Sequence, residues 1–279
     1  MTLSLRSSVQ VSCGPMATWS SGDCETNGVR THYLRTGGGK PSVVLLHGLM
    51  GSGACWSPLA RALEEEFDVV MPDARGHGGS SAPSHGYRYD DLASDLAGLV
   101  RELQLTRPVL IGHSMGGMTA AVLASRAGES LRGLVLVDPT FLSPARQREV
   151  HESDLAEQHR HVLLLQKADL VARARARSPH RSTETVELQA EARLSTSMFA
   201  FEVLAPPSPE YRDLVRAIDV PTLLVIGDDP VVTLEMATEL RSINPRVRIA
   251  QIDDAGHGLP FDQPELLAAA VLSFLRELS

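Results

Sequence analysis

Strands alternating with helices along most of the chain predict an α/β fold, with a mostly parallel central sheet flanked by helices. Three observations carry that expectation. Short apolar runs recur at residues 43–46, 68–71, 108–111, 134–137, 222–226 and 247–250. Stretches with helical spacing of apolar residues separate most of them. Several runs end directly at Gly, His or Asp, as at His47-Gly48, Gly112-His113 and Asp138-Pro139. A strand covered on both faces reads as an unbroken apolar run, which is the signature of a buried parallel sheet. In such sheets the ligand site lies beyond the carboxyl ends of the strands.

Taken in order, the run at 43–46 ends at His47-Gly48, and residues 54–66 (ACWSPLARALEEE) follow at helical intervals. The strand at 68–71 leads to a helix over 89–105, with Leu92, Leu96, Leu99, Val100 and Leu103 on one face. Strand 108–111 runs into Gly112-His113-Ser114-Met115-Gly116-Gly117, then into a helix-forming stretch over 118–127. Strand 134–137 ends at Asp138-Pro139. Strands 222–226 and 247–250 bracket a helix near 233–243, and an amphipathic helix over 266–278 closes the chain.

Residues 140–207 break this rhythm with helical stretches over 148–165 and 168–177, the cluster Met198-Phe199-Ala200-Phe201, and Pro206-Pro207 at the end. An insertion of this size after a strand end is expected to form a helical cap over the site; a surface hairpin is the alternative. The expected organisation is a disordered leader over 1–16, a core from 17–139 and 208–279, and a cap over 140–207.

The whole chain has 279 residues, enough for one large α/β domain. Its 43% hydrophobic and 22% charged residues are ordinary for a globular protein, so a chain disordered along its length is excluded. With 26 basic against 34 acidic side chains the net charge is −8, which argues against a nucleic-acid partner. No apolar run is long enough to span a bilayer, and no membrane partner is expected. The first fifteen residues lack the apolar centre of a signal peptide. Cys13, Cys24 and Cys55 lack metal-ligand spacing and read as free thiols, pointing to the cytoplasm.

Gly-x-Ser-x-Gly between a strand and a helix is the form of a nucleophile elbow, which makes Ser114 the candidate nucleophile. A serine hydroxyl needs a base, and the base needs an orienting acid. His257, between Gly256 and Gly258 after the last strand, is the candidate base. Asp229, in Gly227-Asp228-Asp229-Pro230, is the leading candidate acid, with Asp228 and Asp138 as rivals. The backbone N–H groups of Leu49 and Met115 are expected to hold an oxyanion. Met198, Phe199 and Phe201 are candidate substrate contacts, or else core of the cap.

Three other signals carry less. Thr36-Gly-Gly-Gly-Lys-Pro lacks the spacing of a phosphate loop. His151, His159 and His161 lack a compact metal motif and read as a solvated helix face. Arg173, Arg175, Arg177 and Arg181 read as exposed cap surface, with recognition of an acidic substrate as the alternative.

Together, His47-Gly48, Asp73-Ala-Arg-Gly-His-Gly-Gly-Ser80, Gly112–Gly117, Gly227–Pro230 and Ala255-Gly-His257 resemble the α/β-hydrolase superfamily, in its capped single-domain bacterial branch. The resemblance runs from about Val29 to the C-terminus, the cap excepted. It implies a serine hydrolase, free of cofactors and metals, that cleaves a small or medium carboxylic ester or lactone through an acyl-enzyme. Amide, carbamate or carbon–carbon bond cleavage by the same residues, or a slow receptor-type protein, remain alternatives. A monomer or small homo-oligomer acting on a small molecule is expected. Asp73, Arg75 and His77 are then scaffold. Serine at position 114 departs from the aspartate of haloalkane dehalogenases and epoxide hydrolases and from the cysteine of dienelactone hydrolases. His113 stands where the carbon–carbon hydrolases often carry asparagine.

Overall fold

The computed structural model describes residues 19–278, so the expected leader and Cys13 lie outside the described residues. The chain opens with β1 (Ser20–Thr26) and β2 (Val29–Arg35), joined at Asn27-Gly28, where both residues have positive φ (50° and 75°). Then come β3 (Ser42–Leu46), α1 (Ser57–Leu63), β4 (Asp68–Pro72), α2 (Tyr89–Glu102), β5 (Val109–His113), α3 (Met115–Ala127) and β6 (Gly133–Val137). The segment after β6 holds α4 (Pro144–His151), α5 (Leu155–Val162), α6 (Lys167–Arg177), α7 (Thr183–Leu194), a 3₁₀ segment (Met198–Leu204) and α8 (Tyr211–Ala217). The core resumes with β7 (Thr222–Ile226), α9 (Leu234–Ile243), β8 (Val247–Gln251), α10 (Leu259–Asp262) and α11 (Pro264–Glu277).

The eight strands form one sheet in the order β1-β2-β4-β3-β5-β6-β7-β8. β1 and β2 pair antiparallel, as do β2 and β4, and every later pairing is parallel. The central strands β3 to β7 are buried along their whole length, which is why they are visible as apolar runs. Alternation splits them between two cores. Val44, Leu46, Leu110, Leu134 and Leu136 pack under α2, α3, α8 and α9, whereas Val43, Leu45, Ile111, Val135 and Val137 pack under α1 and α11.

The motif read as scaffold behaves as such. Asp73 accepts the backbone N–H of Gly53 at 2.7 Å and of Gly79 at 2.8 Å, and Arg75 grips buried Asp95 with two bonds of 2.6 Å. The expected helix over 148–165 is two helices, α4 and α5, broken at Glu152–Asp154. α7 was not foreseen. Its N-terminus is held by the Ser182 side chain, which accepts the Thr185 N–H at 3.1 Å. No described helix is long and apolar enough to cross a membrane.

Candidate active site

Three chemically active side chains meet at the carboxyl ends of β5, β6 and β8. The strand-to-helix turn after β5 holds Ser114 at φ 54° and ψ −118°, a conformation that a non-glycine residue adopts only when its surroundings enforce it. The enforcement is steric closeness of backbone. A β-carbon on Gly112 would stand 2.3 Å from the carbonyl oxygen of Gly116, and one on Gly116 would stand 2.3 Å from that of Leu46. Only glycine lets the strand, the turn and the helix approach this closely.

The Ser114 hydroxyl donates to Nε2 of His257 at 2.9 Å, and Nδ1–H of His257 donates to Oδ2 of Asp138 at 2.6 Å. The carboxylate that meets His257 therefore follows β6, and Asp229, the leading candidate after β7, makes no bond to it. Asp138 is fully buried, and its carboxylate also accepts the backbone N–H groups of Val231 at 3.0 Å and Val232 at 2.9 Å. Asp229 is exposed, and its backbone pairs with Gly256. Asp228 is also exposed and accepts the Asp254 N–H at 2.6 Å. The β7 loop thus contributes amides that hold a carboxylate from the neighbouring strand. Its own two carboxylates face outward, since adjacent like charges are costly to bury together.

His113 precedes the serine, and its Nε2–H donates to the backbone carbonyl of His257 at 2.8 Å. His47 links the second loop to the site: its Nδ1–H donates to Gly48 O at 2.8 Å, and its Nε2 accepts the Ala74 N–H at 3.0 Å. A β-carbon on Gly48 would lie 3.1 Å from Cβ of Ser114, so this loop passes directly beside the hydroxyl. Among the described residues neither the Leu49 nor the Met115 N–H finds an acceptor, and both residues line the cavity at Ser114.

That cavity measures about 440 Å³. Its floor is Ser114, His113, His257, Leu49, Met115 and Tyr89; its far wall comes from the segment between β6 and β7, including Leu142, Val150, Leu155, Val203 and Leu204. Met198, Phe199 and Phe201 are absent from the lining. The 3₁₀ segment turns Val203 and Leu204 to the cavity. Phe201 instead stacks on the His159 ring at 4.7 Å, and Phe199 is 43% exposed. His159 departs from the solvated face expected of it: it is buried, and its Nε2–H donates to Thr196 O at 3.0 Å. Sequence reasoning also missed Tyr89, His113 and the lining arginine Arg193. The last lies on the unforeseen α7, whose Ser-Thr-Glu-Thr start was a usable capping signal.

Burial, then the neighbouring His257, pushes His113 down to about 3, and burial, then His47, pushes His77 down to about 3. Both rings are neutral when folded near neutral pH. The unfolded chain, with histidines near 6.5, takes up these protons first, so stability falls as pH drops below 6.5 and goes on falling toward 3. Each histidine is expected to cost about 2 kcal/mol between pH 7 and pH 5. Chemical denaturation at both pH values checks this: His77→Asn should show the shallower pH dependence, and an equal slope would refute the assignment to His77.

Over 264 residues the chain is 31% identical to N-formylmaleamate deformylase of Pseudomonas putida, covering 92% of this chain and 96% of that one. It is 25% identical over 261 residues to 2-(acetamidomethylene)succinate hydrolase of Mesorhizobium japonicum, covering 88% and 91%. The solved enol-lactonase of Burkholderia xenovorans superposes with a TM-score of 0.75 at 26% identity, covering 91% of this chain and 100% of the other. Residues 41–264 match the family described as alpha/beta hydrolase fold. With an elbow serine, a histidine after the last strand and a parallel sheet between them, the chain belongs to the alpha/beta hydrolase fold family.

Proposed function

We propose that the protein is a serine hydrolase that cleaves a small carboxylic ester or lactone through an acyl-enzyme, with Ser114, His257 and Asp138 as its catalytic residues. The observation that carries this reading is the unbroken relay from Ser114 Oγ through His257 to the buried carboxylate of Asp138. Ser114 Oγ attacks the carbonyl carbon while Nε2 of His257 takes its proton. Asp138 stabilises the imidazolium through Nδ1–H, and the Leu49 and Met115 N–H groups hold the oxyanion. Collapse breaks the carbon–oxygen bond to the leaving alkoxide, which takes the proton from His257. Water then repeats the sequence, releasing the acid and restoring Ser114.

The segment over 140–207 acts in this reading as a cap, since its residues close the cavity above the serine. A specific observation favours a second reaction, cleavage of an amide carbon–nitrogen bond with the same residues: the 31% identical relative is named a deformylase. A fluorophosphonate probe tests the reading. It should label Ser114 stoichiometrically and abolish turnover of activated esters and amides together, and labelling elsewhere would overturn it. A single burst without further turnover would favour the receptor-type alternative.

A further inference from the structure

The cavity beside Ser114 is charged in a way that the chain as a whole is not. The protein carries a net charge of −8, yet no carboxylate lines this cavity, while Arg177, Arg181 and Arg193 all do. The same three arginines, with Arg173, line a second cavity of about 270 Å³ under α6 and α7, which likewise has no acidic lining residue. They therefore stand where the two spaces adjoin.

The three differ in what satisfies them. Arg181 is anchored: its Nε–H donates to Asp262 at 2.7 Å and its Nη1 to Gln189 at 3.3 Å. Its Nη2 lies 2.5 Å from where a β-carbon on Gly258 would be, one residue from His257, so this arginine reaches the catalytic loop. The side chains of Arg177 and Arg193, among the described residues, have no hydrogen-bond or ion-pair partner. Arg193 is half-buried, and its guanidinium is held below its ordinary value by burial first, then by Arg177 and Arg181. Partly burying one cation beside two others costs stability unless an anion joins them. A guanidinium is built for a planar oxyanion, which it binds through two parallel N–H groups.

We infer that Arg193 and Arg177 bind a carboxylate of the substrate, so that the molecule cleaved at Ser114 is a small anionic acyl compound carrying a carboxylate remote from the scissile bond. This rests on the serine-hydrolase reading of the same cavity. The anchored Arg181 sets the edge of the subsite, and the aliphatic wall of Leu142, Val150, Val203 and Leu204 holds the chain between the two carbonyl groups.

The test uses monoethyl glutarate against ethyl pentanoate, which differ by a carboxylate in place of a methyl, with binding followed by calorimetry on Ser114→Ala protein. The anionic ester should bind at least about tenfold more tightly, the contribution of one charge-assisted hydrogen bond. Adding Arg193→Met should reduce its affinity to that of the neutral ester. Arg193→Lys should restore part of the preference, and Arg177→Met, at an exposed position, should lose most of it without affecting folding. Raising salt from 0.05 to 0.5 M should weaken only the anionic ester. Equal affinity of the two esters, no binding of the anionic one, or a preference unchanged in Arg193→Met would overturn the inference. Ser114-dependent cleavage of a neutral activated acetate ester, measured separately, reports on the hydrolase reading alone.

Discussion

Asp138→Asn is expected to lower kcat by about 10³–10⁴. An asparagine presents either an amide N–H to Nδ1 of His257, which stabilises the tautomer with its proton on Nε2 and also opposes the Val231 donor, or an oxygen toward His257 that leaves its own N–H groups against the Val232 donor. In the first case the imidazole has no lone pair toward Ser114 and fails as a base. In the second a fully buried group faces a like donor, and the site loosens. Asp229→Asn removes charge from an exposed side chain and should leave kcat within about twofold, because surface changes of this kind cost little. Steady-state turnover of an activated ester by both variants settles the matter. If Asp229→Asn is the more damaging, the acid does not come from β6.

Ser114→Ala should reduce turnover by about 10⁵–10⁶, as expected when a nucleophile is lost from a group of residues that act as a unit. The change removes one oxygen and keeps the β-carbon at the same positive φ, so the melting temperature should move by no more than a few degrees. Circular dichroism melting beside the rate measurement separates loss of chemistry from loss of fold. A folded variant with substantial residual turnover would remove Ser114 from the mechanism.

The parallel part of the sheet was legible in the sequence because each strand from β3 to β7 is buried on both faces and carries no polar interruption. The β1–β2 hairpin was not, because β1 (SSGDCET) is an edge strand with a mostly exposed, polar pattern. Its one clear signal was Asn27-Gly28, a dipeptide that accepts positive φ at both positions and so closes a two-residue turn. Ser114 was legible because the close backbone approach around it admits only glycine at 112 and 116, and His257 because of its place after the last strand and before the final helix. The carboxylate that meets His257 was harder to read, because the choice between β6 and β7 depends on reach across neighbouring strands. The one local hint was that Asp138 stands alone, and a single carboxylate is more readily buried against amide donors than a doublet. The aromatic cluster misled for a related reason: the largest apolar side chains of a small helical insert are needed for its own core, and Phe201 is used there.

The grip of His113 on the His257 backbone has a consequence for timing. Serine and base are tied twice, through the side-chain bond to Ser114 and through the bond from the residue immediately before it. Neither tie involves the segment between β6 and β7. Arrival and bond-making are thus governed by different residues: changes within 140–207 that spare Arg181, which is bonded to Asp262 beside the His257 loop, are expected to alter how tightly a molecule is held, and changes at His113 how soon a held molecule reacts.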